Sequence, residues 1–563
     1  GHWLSYRTEF KRKWDGSLKG FEFLAKVIAR NGTLEEHDGW LHVTGADEIL
    51  VIEDIRLSRT LPLKGREALR RKLDAIGPDY AALLAGHAAI HSEMFNRFRF
   101  DLGDGRRPAR TSEELLASSS FETPNPDLLV QVLKACRYNL ISATGKLPPT
   151  LQGLWSGTWT PMWSGDYTLN GNAPCAIACG LNTNLQEATD AYLGMMNRNV
   201  PFFERNAREL FGAGGLFVPS RMSDRGDEYH YSKHHPHLYW FAGSSWTAHF
   251  YYDKWLHTRD EDFLRREAIP FMLGAYAFLR EVLHRDDRGG YHFIPSYSAE
   301  NRPAGGHPCA ANATHDVAAM KQLLRNLITL ARDGYLPEDR ADEFEQVLKG
   351  LPSYAIDDDG GLNEWLWPGL RNNNSHRHAS HLYPLFDGVD EEFVGKPGLR
   401  EAAKSTIGKR LAFRRDKKGG AMAFGLVQLG LASAHLGDAS QADECINWLA
   451  NSYWTPAFGS YHDPGSIFNV DICGGIPAVV SYMLVQSTED TITLLPCLPD
   501  SWPDGRVKGI RTRGGFEVDL EWKNGELVKA LIESHTGRPC RAIYRGKATA
   551  LKLRKGERRA IQF

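Results

Sequence analysis

The chain has no apolar run approaching the roughly 20 residues needed to cross a bilayer, and its N-terminus carries no signal-peptide pattern, so a soluble protein is expected. Charge of one sign is also lacking: 67 Lys and Arg stand against 69 Asp and Glu, with no long block of either. That balance disfavours a nucleic-acid partner and an anionic membrane surface. Cysteine is scarce and scattered. Of eight, only Cys175 and Cys179 lie close together, so neither a disulfide framework nor a zinc-ligand spacing is visible. They read as buried thiols and leave the compartment open, with a periplasmic or extracellular location favoured. No Gly-rich phosphate loop follows a strand and opens a helix, so no cofactor is expected. The Gly-x-Ser-x-Gly elbow is missing too, which argues against a serine hydrolase.

What the sequence does have is length and tryptophan. A chain of 563 residues exceeds the size at which a single core stops growing, so two or three domains are expected. Its 15 tryptophans fit a large core or an aromatic-lined cleft of the kind that holds carbohydrate. Residues 1–62 read as strands, part of an N-terminal β-sandwich: Phe21, Phe23, Ala25 and Val27 alternate with Glu22 and Lys26, and Asn31-Gly32 and Asp38-Gly39 mark turns. Residues 63–110 change to helical composition and form a linker.

From 111 to 488 the pattern is helical. Asn184-Leu-Gln-Glu187 is a capping-box pattern, and Phe263, Phe271, Ala275, Phe278 and Val282 make a helical stripe. Further helices are expected over 125–146, 244–258, 316–334, 338–350, 397–412, 420–436, 440–453 and 474–488. Long loops at 147–183, 214–243, 285–315, 351–396 and 454–473 separate them, and loops of that length are usually functional. Helices joined alternately by short and long loops suggest a toroid of helix pairs with the long loops on one face. Residues 489–563 return to strands. Phe516, Val518, Leu520 and Trp522 alternate with charged residues before Asn524-Gly525 turns the chain, a hairpin with one buried face in a C-terminal antiparallel β domain.

The chemistry-bearing residues lie in the loops. Asn170 and Asn172 are two amides two residues apart, downstream of Trp155, Trp159 and Trp163, and on an extended segment they project from one side. That arrangement suits a sugar and a water; Asn-Gly-Asn also suits a plain turn. Glu300 and Asp471 are loop carboxylates of the type glycoside hydrolysis needs, one to protonate the leaving oxygen and one to help activate water, although loop acids also serve as solvated surface or helix caps. His376, His378 and His381, and His230, His234, His235 and His237, have ligand-like spacing. Hydrogen bonding to sugar hydroxyls, or a structural role near the cleft for the second cluster, is the preferred reading over a metal, and no metal site is assigned.

The order of these pieces resembles glycoside hydrolase family 95. The stretches that carry the resemblance are Leu147-Pro-Pro-Thr-Leu-Gln-Gly-Leu-Trp155, Trp163-Ser-Gly-Asp-Tyr-Thr-Leu-Asn170-Gly-Asn172, Pro295-Ser-Tyr-Ser-Ala-Glu300-Asn301, His376-Arg377-His378-Ala-Ser-His381 and Asp471 before a Gly-rich helix start. Leu494 to Gly509 and Arg513 to Trp522 look like that family's C-terminal domain. The resemblance implies a mainly α fold, an (α/α)6 toroid flanked by β domains, and inverting exo-hydrolysis of α-L-fucosides or α-L-galactosides in an oligosaccharide or polysaccharide. It implies Glu300 as general acid, Asn170 and Asn172 holding the attacking water, and Asp471 polarising one amide so that its oxygen can act as base. Arg377, His378, Trp246, His249 and Trp163 would bind the sugar.

This chain departs from the family pattern at Ala173-Pro174-Cys175, at Ala299 before the acid, and at Ile-Cys-Gly-Gly after Asp471; the retained acid and amides argue for retained chemistry, and the altered walls for a different sugar. About 60 residues of β structure are fewer than the family's N-terminal domain has, so a missing portion or a homo-oligomer is expected. Two other readings stay open: another (α/α)6 glycosidase or a polysaccharide lyase, with Tyr297, Tyr383 or His378 as base, and a non-catalytic carbohydrate-binding relative.

Overall fold

The computed structural model describes residues 2–11, 13–105, 109–416 and 422–563, in two compact units, Gly1–Glu93 and Met94–Phe563. The first unit is built on a three-stranded antiparallel sheet with the strand Gly20–Arg30 between His2–Glu9 and Glu48–Ser58. Asn31 and Gly39 lie at the ends of the hairpin Thr33–His37 and Trp40–Thr44, as the turn residues indicate. The expected face is buried only in part, at Ala25 and Val27, with Phe21 and Phe23 half-buried, and the other face is covered as well. The amphipathic helix Arg66–Asp74 lays Leu69 and Leu73 on Leu24 and Ile52, and Glu22 is buried because its carboxylate accepts the backbone N–H of Gly65. The opposite face, where Phe21 pairs with Leu57 and Phe23 with Ile55, is apolar yet open: Tyr6, Ile49, Val51, Ile55 and Leu57 are exposed.

The second unit carries the large core. Between residues 126 and 484 its described residues form ten helices of 12 to 26 residues. The helix expected over 420–436 runs Ala423–Leu436, positions 420 and 421 lying outside the described residues, as do 106–108 of the expected linker. The last helix of the series, Asp471–Leu484, packs on the first, Pro126–Ala143, and on Ala423–Leu436. The capping box at Asn184 does not form. Asn184 takes a left-handed conformation (φ 58°) and its Nδ2 donates to Glu517 at 3.0 Å, so the helix Gln186–Phe211 begins after Leu185 instead.

The C-terminal strands make two sheets. One is a five-stranded antiparallel sheet in the order Arg558–Ile561, Glu526–Ser534, Phe516–Lys523, Gly505–Thr512, Arg99–Leu102. The hairpin is as read, with Lys523 opposite Glu526 and Phe516, Val518, Leu520 and Trp522 all buried. Arg99–Leu102, expected as helical linker, is instead its edge strand, because Phe100 and Leu102 alternate into the core beside Val507 and Trp502. The other sheet is mixed rather than antiparallel: Thr491–Leu494 runs parallel to Pro539–Tyr544, the long excursion through the first sheet supplying the crossover that a parallel pair needs.

Candidate active site

Two buried acids hold the loop that carries Glu300. Glu364 accepts from Ser298 Oγ at 2.7 Å and from Asn301 Nδ2 at 2.9 Å, the residues bracketing Ala299 and Glu300. The same carboxylate accepts from Arg410 Nη2 at 2.7 Å, and Arg410 Nη1 donates to the His376 carbonyl at 2.9 Å. One interior anion therefore ties the Glu300 loop to the loop bearing Arg377 and His378. Nearer the start of the loop, Asp316 accepts from Ser296 Oγ at 2.6 Å and from the backbone N–H groups of Phe241 and Ala242, which begin the helix Ala242–Thr258. Burial pushes Asp316 up to about 7.

Glu300 faces three basic side chains. Arg377 Nη2 donates to its Oε2, His378 Nε2 is 3.5 Å from the same oxygen, and His237 Nε2 is 3.9 Å from Oε1. Burial works to raise this carboxyl, but His378, Arg377 and His237 together outweigh it and hold Glu300 well below the usual carboxylate range. The histidines themselves are disfavoured as cations by burial, His237 being pushed down to about 4 and His378 also lowered.

The amides sit behind Glu300. Asn170 is wholly buried; its Nδ2 donates to Glu300 Oε1 at 3.5 Å, and its Oδ1 has no hydrogen-bond partner among the described residues. Asn172 opens the short helix Asn172–Ile177, and its Nδ2 donates to Asp471 Oδ2 at 2.5 Å. Asp471 is the first residue of its helix, and its backbone N–H donates to Asn469 Oδ1 at 2.8 Å. Its other oxygen, Oδ1, is buried without a partner among the described residues. Burial lifts Asp471 to about 6 against the opposing pull of His462, Asn172 and Asn469. The glycine-rich helix start has a steric cause: a Cβ at Gly474 would overlap the Ala176 carbonyl, so glycine lets the first turn of Asp471–Leu484 close on the short helix Asn172–Ile177, the helix that carries Asn172.

The structure thus joins Glu300 to Asn170, Asn172 to Asp471, and Arg377 and His378 to Glu300. Trp163 stands beside this group, its ring 4.8 Å from that of His462. Trp246 and His249 make other contacts: Trp246 packs edge-on to His315 and Tyr383, and His249 Nε2 is 3.2 Å from Asp387. His237, set aside in the sequence as structural, is at the acid. Among the described residues no group of three or more His, Cys, Asp or Glu side chains converges as metal ligands. His376 stacks on His378, and His381 faces Glu364 at 3.7 Å. In front of Glu300 opens a cavity of about 550 Å³, lined by Glu300, Asn301, Arg302, His376 and Arg377 together with the loop carrying Lys233. Asn170, Asn172 and Asp471 do not line it.

Known proteins resemble this chain in fold and in sequence. A putative kojibiose phosphorylase from human microbiome shares the fold at a TM-score of 0.62 and 11% identity, over 100% of this chain and 74% of that one. Alpha-L-fucosidase 2 of Arabidopsis thaliana is 27% identical over 505 residues, 85% of this chain and 58% of the relative. Probable alpha-fucosidase A of Aspergillus niger is 25% identical over 493 residues, 82% of this chain and 60% of the relative. The chain therefore spans a little under three fifths of the first of these relatives and three fifths of the second. The glycosyl hydrolase family 95 catalytic domain matches residues 79–484 and the family's C-terminal domain matches 486–562. With both of its domains matched in order, the chain belongs to glycoside hydrolase family 95.

Proposed function

We propose that this chain is an inverting exo-glycosidase that removes a terminal α-L-fucose-like sugar, an α-L-fucoside or α-L-galactoside, from a glycan. The catalytic body would be an (α/α)6 toroid over residues 111–488, a reading supported by the packing of its last long helix on its first. Residues 1–62 would be one layer of a β-sandwich, 63–110 a linker and 489–563 the C-terminal β domain. The names of the relatives point to fucose. The observation that carries the mechanism is the hydrogen bond from Asn172 to the buried Asp471 carboxylate.

An amide oxygen is too weak a base to take a proton from water unaided. In our reading a water held by Asn170 and Asn172 attacks the anomeric carbon. Its proton passes to the Asn172 carbonyl oxygen as an Nδ2 proton moves toward Asp471, whose carboxyl, at about 6, is basic enough to receive it. The bond to the leaving oxygen breaks at the same time, and that oxygen takes its proton from Glu300. Glu300 is an anion while Arg377 is paired to it. Arg377 is only part-buried, and when it turns to the sugar hydroxyls Glu300 loses one of the partners, after His378, that hold its carboxyl down in a desolvated site, which raises its pKa toward that of a working acid.

Geometry, not pKa alone, assigns the roles. Asp471 carries the raised pKa but is 1% exposed behind Asn172, out of reach of a leaving group, whereas Glu300 lines the cavity. The lyase reading loses support at Tyr297 and Tyr383, because burial pushes their phenols well up, away from a usable base. The test is hydrolysis of aryl α-L-fucoside, α-L-galactoside, β-L-arabinoside and α-L-rhamnoside by the wild type and Glu300→Gln, with product anomers read by NMR. Turnover with inversion that falls in Glu300→Gln, most for the poorest aryl leaving group, is expected; retention of configuration, or undiminished activity without Glu300, would sink the mechanism.

A further inference from the structure

The cavity in front of Glu300 carries unbalanced charge. Among the described residues Glu300 is its only acidic lining residue, and Arg377 is already paired to it. Two further cations, Lys233 and Arg302, line the same cavity from separate loops, and neither is in an ion pair among the described residues. Four histidines add hydrogen-bonding groups around them. The acid is the boundary of this space: the water-holding amides and Asp471 lie behind it, so the cavity is where the leaving part of the glycan would sit.

Resting on the reading of Glu300 as the acid, we propose that this cavity is a leaving-group subsite for an anionic sugar, a residue next to the scissile bond that bears a carboxylate or a sulfate. Lys233 and Arg302 supply charge-assisted hydrogen bonds to that anion, the guanidinium as a fork and the ammonium as a point charge. Because both are exposed, their contribution depends on ionic strength, strong at low salt and screened within roughly 3–10 Å as salt rises. A wall of this kind selects by attraction to one class of glycan and leaves the neutral analogue with two unmatched cations.

The experiment compares three disaccharides with the same terminal α-L-fucose, linked to galactose, to galacturonic acid and to galactose 6-sulfate. kcat/KM is measured on the full chain at low and high salt, for the wild type and for the Lys233→Ala/Arg302→Ala double variant. The expected result is about a tenfold preference for one acidic substrate at low salt, shrinking at 0.5 M salt and falling to near unity in the double variant. The preferred arm names the anion as carboxylate or sulfate. Equal rates on all three, or a preference that survives the double substitution, would overturn the proposal. If no substrate is turned over, the activity reading has failed separately, and calorimetric titration of the same three compounds decides the subsite: tighter, Lys233- and Arg302-dependent binding of an acidic one upholds it, and equal or absent binding refutes it.

Discussion

Two carboxylates of one site, Asp471 and Glu300, are both desolvated and end in opposite states. Asp471 has amides for company, with His462 the charge partner opposing its burial, and burial lifts it to about 6. Glu300 has Arg377, His378 and His237 around it, and they overturn the same push. Burial sets the stakes; the partners decide the sign. The difference fits the division of labour proposed here, a base poised near working pH and an acid that takes up its proton when the ligand draws Arg377 away.

The comparison breaks most visibly in activity. Glu300→Gln and Asp471→Asn are each expected to lose roughly 10²–10⁴-fold in kcat, and only the first should be partly relieved by an aryl leaving group that needs no proton. Assays on aryl and disaccharide substrates read that split. Glu364→Ala should come next. It leaves Arg410 as an unpaired buried charge and frees the Glu300 loop, costing on the order of 3–5 kcal/mol in urea unfolding, with Glu364→Gln milder. The rise of kcat through about pH 6, which with substrate bound and Glu300 protonated belongs to Asp471, should survive in it.

Stability should separate the two carboxylates by sign. Asp471 has a folded pKa raised above its unfolded value, so its ionisation detracts nothing below about pH 4 and detracts progressively as pH rises through about 6. Asp471→Asn should therefore be more stable than wild type at pH 7.5 by up to about 3 kcal/mol, a gain absent at pH 4. Glu300, with its depressed pKa, contributes stability that is present above its unfolded value and lost as pH falls through the folded one, so Glu300→Gln should be less stable at pH 7.5. Thermal melts at both pH values check the pair, and shifts of equal sign would contradict the contrast. The smallest expected effect is kinetic: Arg377→Lys, which loses the guanidinium fork, should move the limb of kcat/KM set by Glu300 to higher pH, and wild-type kcat, read with substrate bound, should place that limb higher than its kcat/KM does.

Local chemistry was legible in the sequence and long-range assembly was not. The Phe516–Ile532 hairpin could be read because alternation and an Asn-Gly turn act over a few residues. The Asn172 to Asp471 contact spans 299 positions and the Asn170 to Glu300 contact 130, so only the resemblance brought those residues together in advance. Glu364 and Asp316, which hold the site, carry no motif of their own; a buried acid looks like any other acid until its donors are seen. Competing partners explain the errors. Glu517 draws Asn184 away from capping, the helix Arg66–Asp74 selects the even-numbered face of the N-terminal sheet, and a four-residue strand at 99–102 is too short for periodicity to reveal.

That short strand sets a timetable. Phe100 pairs with Val507, and Leu102 with Gly505, so the edge of the C-terminal sheet leaves the ribosome some 400 residues before the strand it must meet. At about 5–20 residues per second the wait is roughly 20–80 s, with the backbone edge of Arg99–Leu102 unpaired throughout. The helical body thus grows as one long loop between two strands that close it last, and synthesis of the C-terminal sheet is the step that retires an exposed β edge.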